Sequence, residues 1–143
     1  DDVAPYDKRF YWGRDADGKL IPRSITDINE VDEDDKPILD TDGNQLVTKG
    51  LKTLAIETAK TQAASLLAPY DWYVIRNSEK STAIPSEITT YRDAVRTACA
   101  NIETAINAVK THAKFMALYD VPVDSDGNAT GDPAPINAWP DAL

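Results

Sequence analysis

Residues 86–119 constrain the fold most, because this run contains neither glycine nor proline and begins directly after Pro85. Proline fits the first turn of a helix, where its missing N–H is not needed for hydrogen bonding. Apolar side chains recur through the run at intervals of seven, which places them along one side of an α-helix. We therefore predict a long helix over about residues 85–119, with an apolar stripe formed by Ile88, Val95, Ile102, Val109 and Met116.

A shorter helix is predicted over about residues 49–67. Since proline is poorly tolerated inside a helix, Pro69 is expected to end it. Two helices joined by a linker predict a mainly α fold, in which residues 49–119 form an antiparallel helical hairpin domain. The apolar residues of the shorter helix share one broad face and comprise Leu51, Ala55, Ile56, Ala59, Ala63, Leu66 and Leu67.

The linker between the helices, residues 70–83, carries an aromatic group ahead of charged residues. Trp72 is expected to be a core wedge that closes the end of the hairpin. Arg76 is expected either to pair with a carboxylate, such as Glu87 or Asp93, or to stack on an aromatic ring.

Two further basic residues, Arg92 and Arg96, lie four positions apart on one edge of the predicted long helix. This spacing places both on the same side of the helix. We favour a solvated face over a recognition site for this pair.

Residues 1–48 form an acidic arm that is rich in turn signals. Short apolar pieces flank two Asp-Gly turns, which is typical of small β-hairpins. One hairpin is predicted between residues 9–12 and 20–21, and another between residues 37–39 and 45–47. Because a lone hairpin is marginal in water, the arm is expected to need the helices or a partner to stay ordered.

The pattern Asp-x-Asp-Gly occurs three times, beginning at Asp15, Asp40 and Asp124. Its spacing differs from an EF-hand calcium loop, which needs glycine at the sixth position and a bidentate glutamate at the twelfth. At the twelfth position of the last copy stands Pro135. Turn-forming Asp-Gly pairs therefore explain the pattern better than calcium binding, and no metal site is predicted.

The C-terminal segment, residues 120–143, is rich in proline and in Asp-Gly and Gly-Asp turns. Such a composition predicts an irregular tail rather than a helix. Such a tail is usually disordered alone, but Ile136 and Trp139 could anchor it in a groove once a partner is present, and Trp139 is the preferred anchor.

Helix length predicts that part of the apolar stripe lacks cover. At 1.5 Å per residue the long helix would span about 50 Å and the short one about 28 Å. The excess stripe, near Val109 and Met116, needs the N-terminal arm, a second copy of the chain or a different protein against it. We expect contact with another chain; the alternatives are that the arm covers the stripe or that the helix breaks near Ala113 and Lys114.

Charge is unevenly distributed along the 143 residues, whose net charge is −9. Residues 1–50 carry 7 basic and 13 acidic side chains, residues 51–119 carry 8 and 6, and residues 120–143 carry no basic and five acidic ones. The acidic total argues against a nucleic-acid binder, because phosphates would be repelled.

No apolar run is long enough to predict a membrane helix, and the first residues do not form a signal peptide. Asp1 is unusual as a native first residue, and the native start either lies upstream or has been trimmed.

Catalytic residues are not predicted. A single cysteine, Cys99, excludes a disulfide within the chain, and it lies between two alanines in a helical segment, as is typical of a packed apolar residue. A single histidine, His112, leaves few metal or triad arrangements. The sequence therefore favours a non-enzymatic protein without a cofactor.

Residues 66–96 contain, in this order, Leu66-Leu67, Asp71-Trp72-Tyr73, Arg76, Ile84-Pro85, Tyr91-Arg92 and Arg96. In this order they resemble the tail-fibre assembly chaperones and related small tail accessory proteins of tailed bacteriophages. The likeness extends more loosely from Gly50 to Ile102, with an echo in residues 9–12. The acidic arm and the proline-rich tail depart from the compact members of that group. By resemblance, Trp72, Arg76, Pro85, Tyr91, Arg92 and Arg96 match recurring positions and are expected to hold the hairpin.

The resemblance implies a protein that helps a fibre polypeptide fold or trimerise, acting in the host cytoplasm and on the virion tail. The partner would be the tail-fibre protein or another tail component, with a homo-oligomer as a further possibility and with neither nucleic acid nor membrane bound. The alternative function is a permanent part of the tail or baseplate that links neighbouring subunits. Seven residues are predicted to bind the partner: Phe10, Tyr11, Trp12, Val109, Met116, Ile136 and Trp139.

Overall fold

The computed structural model describes residues 5–143, so Asp1 and the question of the native start lie outside the described residues. The fold is mainly helical, with two small antiparallel sheets at the N-terminal end, as predicted. The strands are β1 (Tyr11–Arg14), β2 (Leu20–Pro22), β3 (Ile28–Asn29) and β4 (Val47–Thr48). The helices are α1 (Leu51–Leu67), α2 (Asp71–Lys80), α3 (Ser86–Ala108) and α4 (His112–Ala117).

Helices α1 and α3 form the predicted antiparallel pair. The start of α1 lies beside the end of α3, because Lys52 Nζ donates hydrogen bonds to the carbonyls of Asn107 and Val109 at 3.0 and 2.9 Å. The end of α1 lies beside the start of α3, because Arg92 Nη1 donates to the carbonyl of Leu67 at 2.9 Å. The buried face of α1 is small, which lets the two helices approach closely. It consists of Leu51, Ala55, Ala59 and Ala63.

The segment predicted as a linker is mostly helical, and this prediction was wrong. Pro69 lies in a single 3₁₀ turn, Ala68–Tyr70, that joins α1 to α2 with hardly any interruption. A proline at the start of a helical turn costs little, because its missing N–H would have no partner there. Helix α2 ends at Lys80, and Ser81 caps this end with a left-handed backbone, at φ of 55°.

The long helix predicted to reach residue 119 ends at Ala108. Val109 is extended, and Thr111 begins the next helix as its N-cap, with Oγ1 accepting a hydrogen bond from the Lys114 N–H at 3.1 Å. The break lies a few residues before Ala113 and Lys114, where the alternative prediction placed it. It is stabilised because Lys52 binds carbonyls that the end of α3 leaves unpaired.

The apolar stripe is covered by the chain itself, so the expected uncovered surface near Val109 is absent from the described structure. Phe10 from the arm is 3% exposed, and Ile136 from the tail is also buried in the same cluster. After the helix break, Phe115 and Leu118 also enter this buried cluster, beside Val109. The buried cluster contains Phe10, Leu51, Ala55, Ala59, Ile102, Ile106, Val109, Phe115, Leu118 and Ile136.

Four acidic turns in the arm and tail share one geometry. In each, the first aspartate accepts hydrogen bonds through Oδ1 from the N–H groups two and four residues later, at 2.8 to 3.0 Å. These bonds confirm the turn interpretation of the three Asp-Gly motifs. The fourth turn is formed by the acidic run 32–35, which is one of the turn signals of the arm, and Asp35 stands where the others have glycine. The fourth-position φ values are 80° for Gly18, 60° for Asp35, 83° for Gly43 and 83° for Gly127.

Residues 28–48, called the hub below, close into a three-sided ring. The N–H of Glu30 donates to the carbonyl of Leu46, Leu46 donates to Ile38, and Ile38 donates to Glu30, at 2.9, 2.8 and 3.1 Å. The amide Nε2 of Gln45 donates to the same three carbonyls, at 2.7 Å for Glu30, 3.2 Å for Ile38 and 3.0 Å for Leu46. The hub is therefore a pseudo-threefold element, and the hairpin predicted between residues 37–39 and 45–47 forms one of its three sides, with Leu39 paired antiparallel to Gln45.

The hub joins the helices at Gly50, directly before α1. The Gly50 N–H donates to Asp27 Oδ1 at 2.7 Å, and the Thr53 hydroxyl donates to the same oxygen at 2.7 Å. The next two N–H groups, of Leu51 and Lys52, donate to carbonyls of the loop before β3. This loop therefore caps the start of α1 in place of a side chain on the preceding residue.

Candidate functional site

Helix α2 carries the most exposed group of large apolar side chains on the helical body. Trp72 is 50% exposed and Ile75 is 56% exposed, and the two lie one helical turn apart. Every residue of α2 is exposed or half-buried. We call Trp72, Tyr73, Val74, Ile75 and Arg76 the α2 face. Because large apolar side chains on a helix are normally packed, this face is a candidate surface for binding another protein.

The α2 face is held by a buried arginine at its base. Arg92 of α3 is 9% exposed, and its Nη1 donates to the carbonyl of Leu67 and to Asp71 Oδ1, each at 2.9 Å. Asp71 also stands in the first turn of α2, where a carboxylate is stabilised by the helix dipole. The solvated role predicted for Arg92 was wrong, whereas Arg96 is exposed as expected and pairs with Asp93 at 3.2 Å.

Aromatic stacking organises the α2 face itself. The rings of Trp72 and Tyr73 stack with centroids 3.8 Å apart, and the guanidinium carbon of Arg76 lies 4.9 Å from the Trp72 centroid and 5.4 Å from that of Tyr73. Stacking was one of the two roles predicted for Arg76. The core-wedge role predicted for Trp72 was wrong; Tyr91 is the buried aromatic at this end, with its ring 5.4 Å from Tyr70. Pro85 directly precedes α3, as predicted.

The three predicted partner-binding residues of the arm differ in burial. Phe10 is buried, and Tyr11 is half-buried with its hydroxyl 3.4 Å from Met116 Sδ. Trp12 is 56% exposed, and the guanidinium carbon of Arg23 lies 4.5 Å from its ring centroid. Of these three aromatic residues, only Trp12 is exposed in the described structure.

The tail is folded onto α1 and the end of α3. Ile136 is buried, and its N–H donates to the carbonyl of Leu118 at 3.1 Å. Trp139 packs against the core, and its Nε1 donates to Gln62 Oε1 at 3.2 Å. Trp139 therefore anchors the tail within its own chain, whereas it was predicted to anchor the tail to a partner.

The single cysteine and the single histidine of the chain are both half-buried. Burial raises the pKa of the Cys99 thiol, so the thiolate that a nucleophile needs is disfavoured. The His112 Nε2 atom lies 2.7 Å from the Phe10 carbonyl oxygen, which can only accept, so the ring donates and fixes the arm. Among residues 5–143, no group of three His, Cys, Asp or Glu side chains is placed to hold a metal ion.

No family model, curated protein or solved structure matches this chain. Within residues 5–143, no helix is both long and apolar enough to cross a membrane.

Neither the helix α2 nor the ring of the hub was predicted from the sequence. For α2, the signal was present, because residues 71–80 contain no glycine or proline and carry an acidic residue at the start and a basic one at the end. For the hub, an eight-residue repeat was the available signal, since residues 31–38 and 39–46 align Asp32 with Asp40 and Ile38 with Leu46.

Proposed function

We propose that the protein is a non-enzymatic assembly chaperone for the tail fibre of a tailed bacteriophage, and that the α2 face holds the fibre polypeptide. The observation that carries the proposal is the exposure of Trp72 and Ile75 on a helix fixed by Arg92 and Asp71. Rigid aromatic side chains bind another protein at low entropic cost, because few torsions are lost. The resemblance of residues 66–96 to tail-fibre chaperones supplies the identity of the partner.

The packed arm and tail support a chaperone over a permanent linker of tail subunits. A linker would use its ends to reach neighbours, whereas Phe10 and Ile136 bury their side chains in the protein's own core. We therefore propose that α2, which lies in the segment predicted as a linker, binds the partner. Val109 is not proposed for this role, because its side chain is buried.

Co-expression with the fibre protein tests the proposal. Fibre polypeptide made with the wild-type chain should be soluble and trimeric by size-exclusion chromatography with light scattering. The double variant Trp72→Ser/Ile75→Ser should leave most of it insoluble. Val121→Ser/Val123→Ser is the matched control, since it removes two exposed apolar side chains from the tail.

The outcomes separate the role from the surface. Soluble trimeric fibre in the absence of this protein would refute the chaperone role. Fibre that needs the protein but tolerates Trp72→Ser/Ile75→Ser would refute the α2 face as the binding surface. Recovery of the protein at fixed stoichiometry in purified virions would favour the permanent tail component.

A further inference from the structure

The hub places three apolar side chains at equivalent positions around its ring. The ring residues are Glu30, Ile38 and Leu46, and the residue that follows each of them carries one of the three apolar side chains. Each apolar residue pairs with the residue that precedes another ring residue. The pairs are Val31 with Pro37, Leu39 with Gln45, and Val47 with Asn29. The pairing is cyclic, so the three sites are related by the same pseudo-threefold axis. Directly opposed residues in antiparallel pairs share a face, so these side chains leave the ring in equivalent directions.

This apolar triad is exposed. Val31 is 47% exposed, Leu39 is 54% exposed and Val47 is 44% exposed. The ring beneath them is fixed by the cyclic backbone bonds and by the Gln45 amide, which binds all three ring carbonyls. Three half-exposed aliphatic side chains on a rigid ring form a preorganised contact surface, which lowers the entropy lost on binding.

Acidic side chains surround the triad on two of its three sides. The two turns of the hub carry six carboxylates against one basic residue, Lys36. Asp32 and Asp40 use Oδ1 to hold their turns, whereas Glu33, Asp34, Asp35 and Asp42 are exposed. The third side is where the chain enters at Ile28 and leaves toward α1. An occupant of this surface therefore meets an apolar centre and a negatively charged rim.

We propose that the hub is a docking surface for a protein segment with an apolar centre and flanking lysine or arginine side chains. Charge complementarity selects this occupant, because opposite charges at a rim speed association and disfavour other partners. A second copy of the hub would bring the same acidic turns against each other, which costs free energy. The surface is separate from the α2 face and does not depend on the fibre protein being the partner.

Peptide binding followed by NMR tests the proposal without any fibre protein. The probe is an amphipathic helical peptide of leucine and lysine, titrated into the full chain labelled with ¹⁵N, with a leucine and glutamate peptide in parallel. The lysine peptide should shift amide signals of residues 28–48, with affinity that falls as salt is raised. The glutamate peptide should leave those signals unchanged.

Matched variants separate the hub from a general attraction to an acidic protein. Val31→Ser/Leu39→Ser should weaken binding by about tenfold, as expected for loss of a central apolar contact. Val123→Ser is the control, since Val123 also precedes an acidic turn and pairs across it, with Ala129. To test the role of charge, Asp34→Asn/Asp42→Asn should weaken binding. The control is Asp17→Asn/Asp126→Asn, which makes the same change at the same position of two turns outside the hub and should weaken binding less.

Three results would overturn the proposal. The first is shifts centred on the α2 face or spread evenly over all acidic turns. The second is equal weakening by the hub variants and their controls. The third is a wild-type dimer in light scattering that Val31→Ser/Leu39→Ser converts to monomer, because a second copy would then be the occupant. Retention of the wild-type amide spectrum by each variant shows that its fold is intact.

Discussion

A Cβ atom added at Gly50 would lie 2.3 Å from the carbonyl carbon of Thr26 and 2.5 Å from its carbonyl oxygen. Both atoms belong to the backbone, so neither can rotate away. The loop that caps α1 therefore needs a residue without a side chain at this point, although φ at Gly50 is −75° and open to any residue.

Gly50→Ala should lower the free energy of unfolding by more than about 2 kcal/mol, because the arm must separate from the start of α1. Urea denaturation measures the change. Gly18→Ala is the control, since Gly18 has open space around it and only a left-handed backbone to satisfy, which costs about 1 kcal/mol. Equal losses in the two variants would show that the Thr26 contact is relaxed in solution.

Asp35→Gly should stabilise the protein by about 0.5 kcal/mol, because relief of the left-handed backbone outweighs the added freedom of the unfolded chain. The reason is that Asp35 occupies, at φ of 60°, the place taken by glycine in the other three turns. Thermal unfolding measures the shift in Tm. Asp34→Asn removes one charge from the same turn without changing backbone preference. A rise in Tm of the same size in that variant would assign the gain to charge instead.

Gln45→Ala should destabilise the hub by about 1 to 2 kcal/mol, because three ring carbonyls lose a donor. Hydrogen exchange should accelerate at the Ile38 and Leu46 amides, whose bonds close the ring. Helix α3 should keep its protection. Unchanged exchange at those two amides would mean that the backbone hydrogen bonds of the ring persist without the Gln45 side chain.

Arg92→Met should lower the free energy of unfolding by about 2 kcal/mol or more, because it leaves the Leu67 carbonyl without its donor. Asp71→Asn should cost about 1 kcal/mol or less, since the Asp71 side chain is 58% exposed and its charge is screened. A double-mutant cycle measures the coupling between the two side chains. A larger loss for Asp71→Asn than for Arg92→Met would contradict this order.

Asp27 should contribute to acid sensitivity. Hydrogen bonds from the Gly50 N–H, and then from the Thr53 hydroxyl, lower the pKa of its carboxyl. A group with a lowered pKa in the folded state stabilises the protein above its unfolded pKa, near 3.9, and loses that contribution as pH falls through the folded value. Asp27→Asn should therefore flatten the fall of Tm below about pH 4. Asp17→Asn makes the same charge change; an equally flattened profile there would show a general charge effect.

The helical pair and the acidic turns could be predicted because their causes are local. The spacing of Ile88, Val95 and Ile102 fixes a helix face, and an Asp-Gly pair fixes a turn. The end of α3 at Ala108 could not be predicted, since it depends on Lys52, which is distant in sequence and binds the last carbonyls.

Exposure was the property least accessible from sequence. Trp72 reads as a core residue, yet it lies half-exposed because Tyr91 and Tyr70 already fill that end of the hairpin. Val109 is expected to be exposed only if the helix continues past it, whereas α3 ends at Ala108. Whether a single side chain is buried depends on which segments, distant in sequence, pack against it. The arm and the tail both contain such segments.

The hub begins and ends at one point, since Ile28 pairs with Thr48 across the open corner of the ring. A segment whose two ends are neighbours can be shortened, exchanged or removed while the chain on either side stays connected. Because Asp27 and Gly50 already hold each other outside that corner, the helical body keeps its cap when the segment changes. The hub can therefore diverge in sequence and size independently of the helices that carry it.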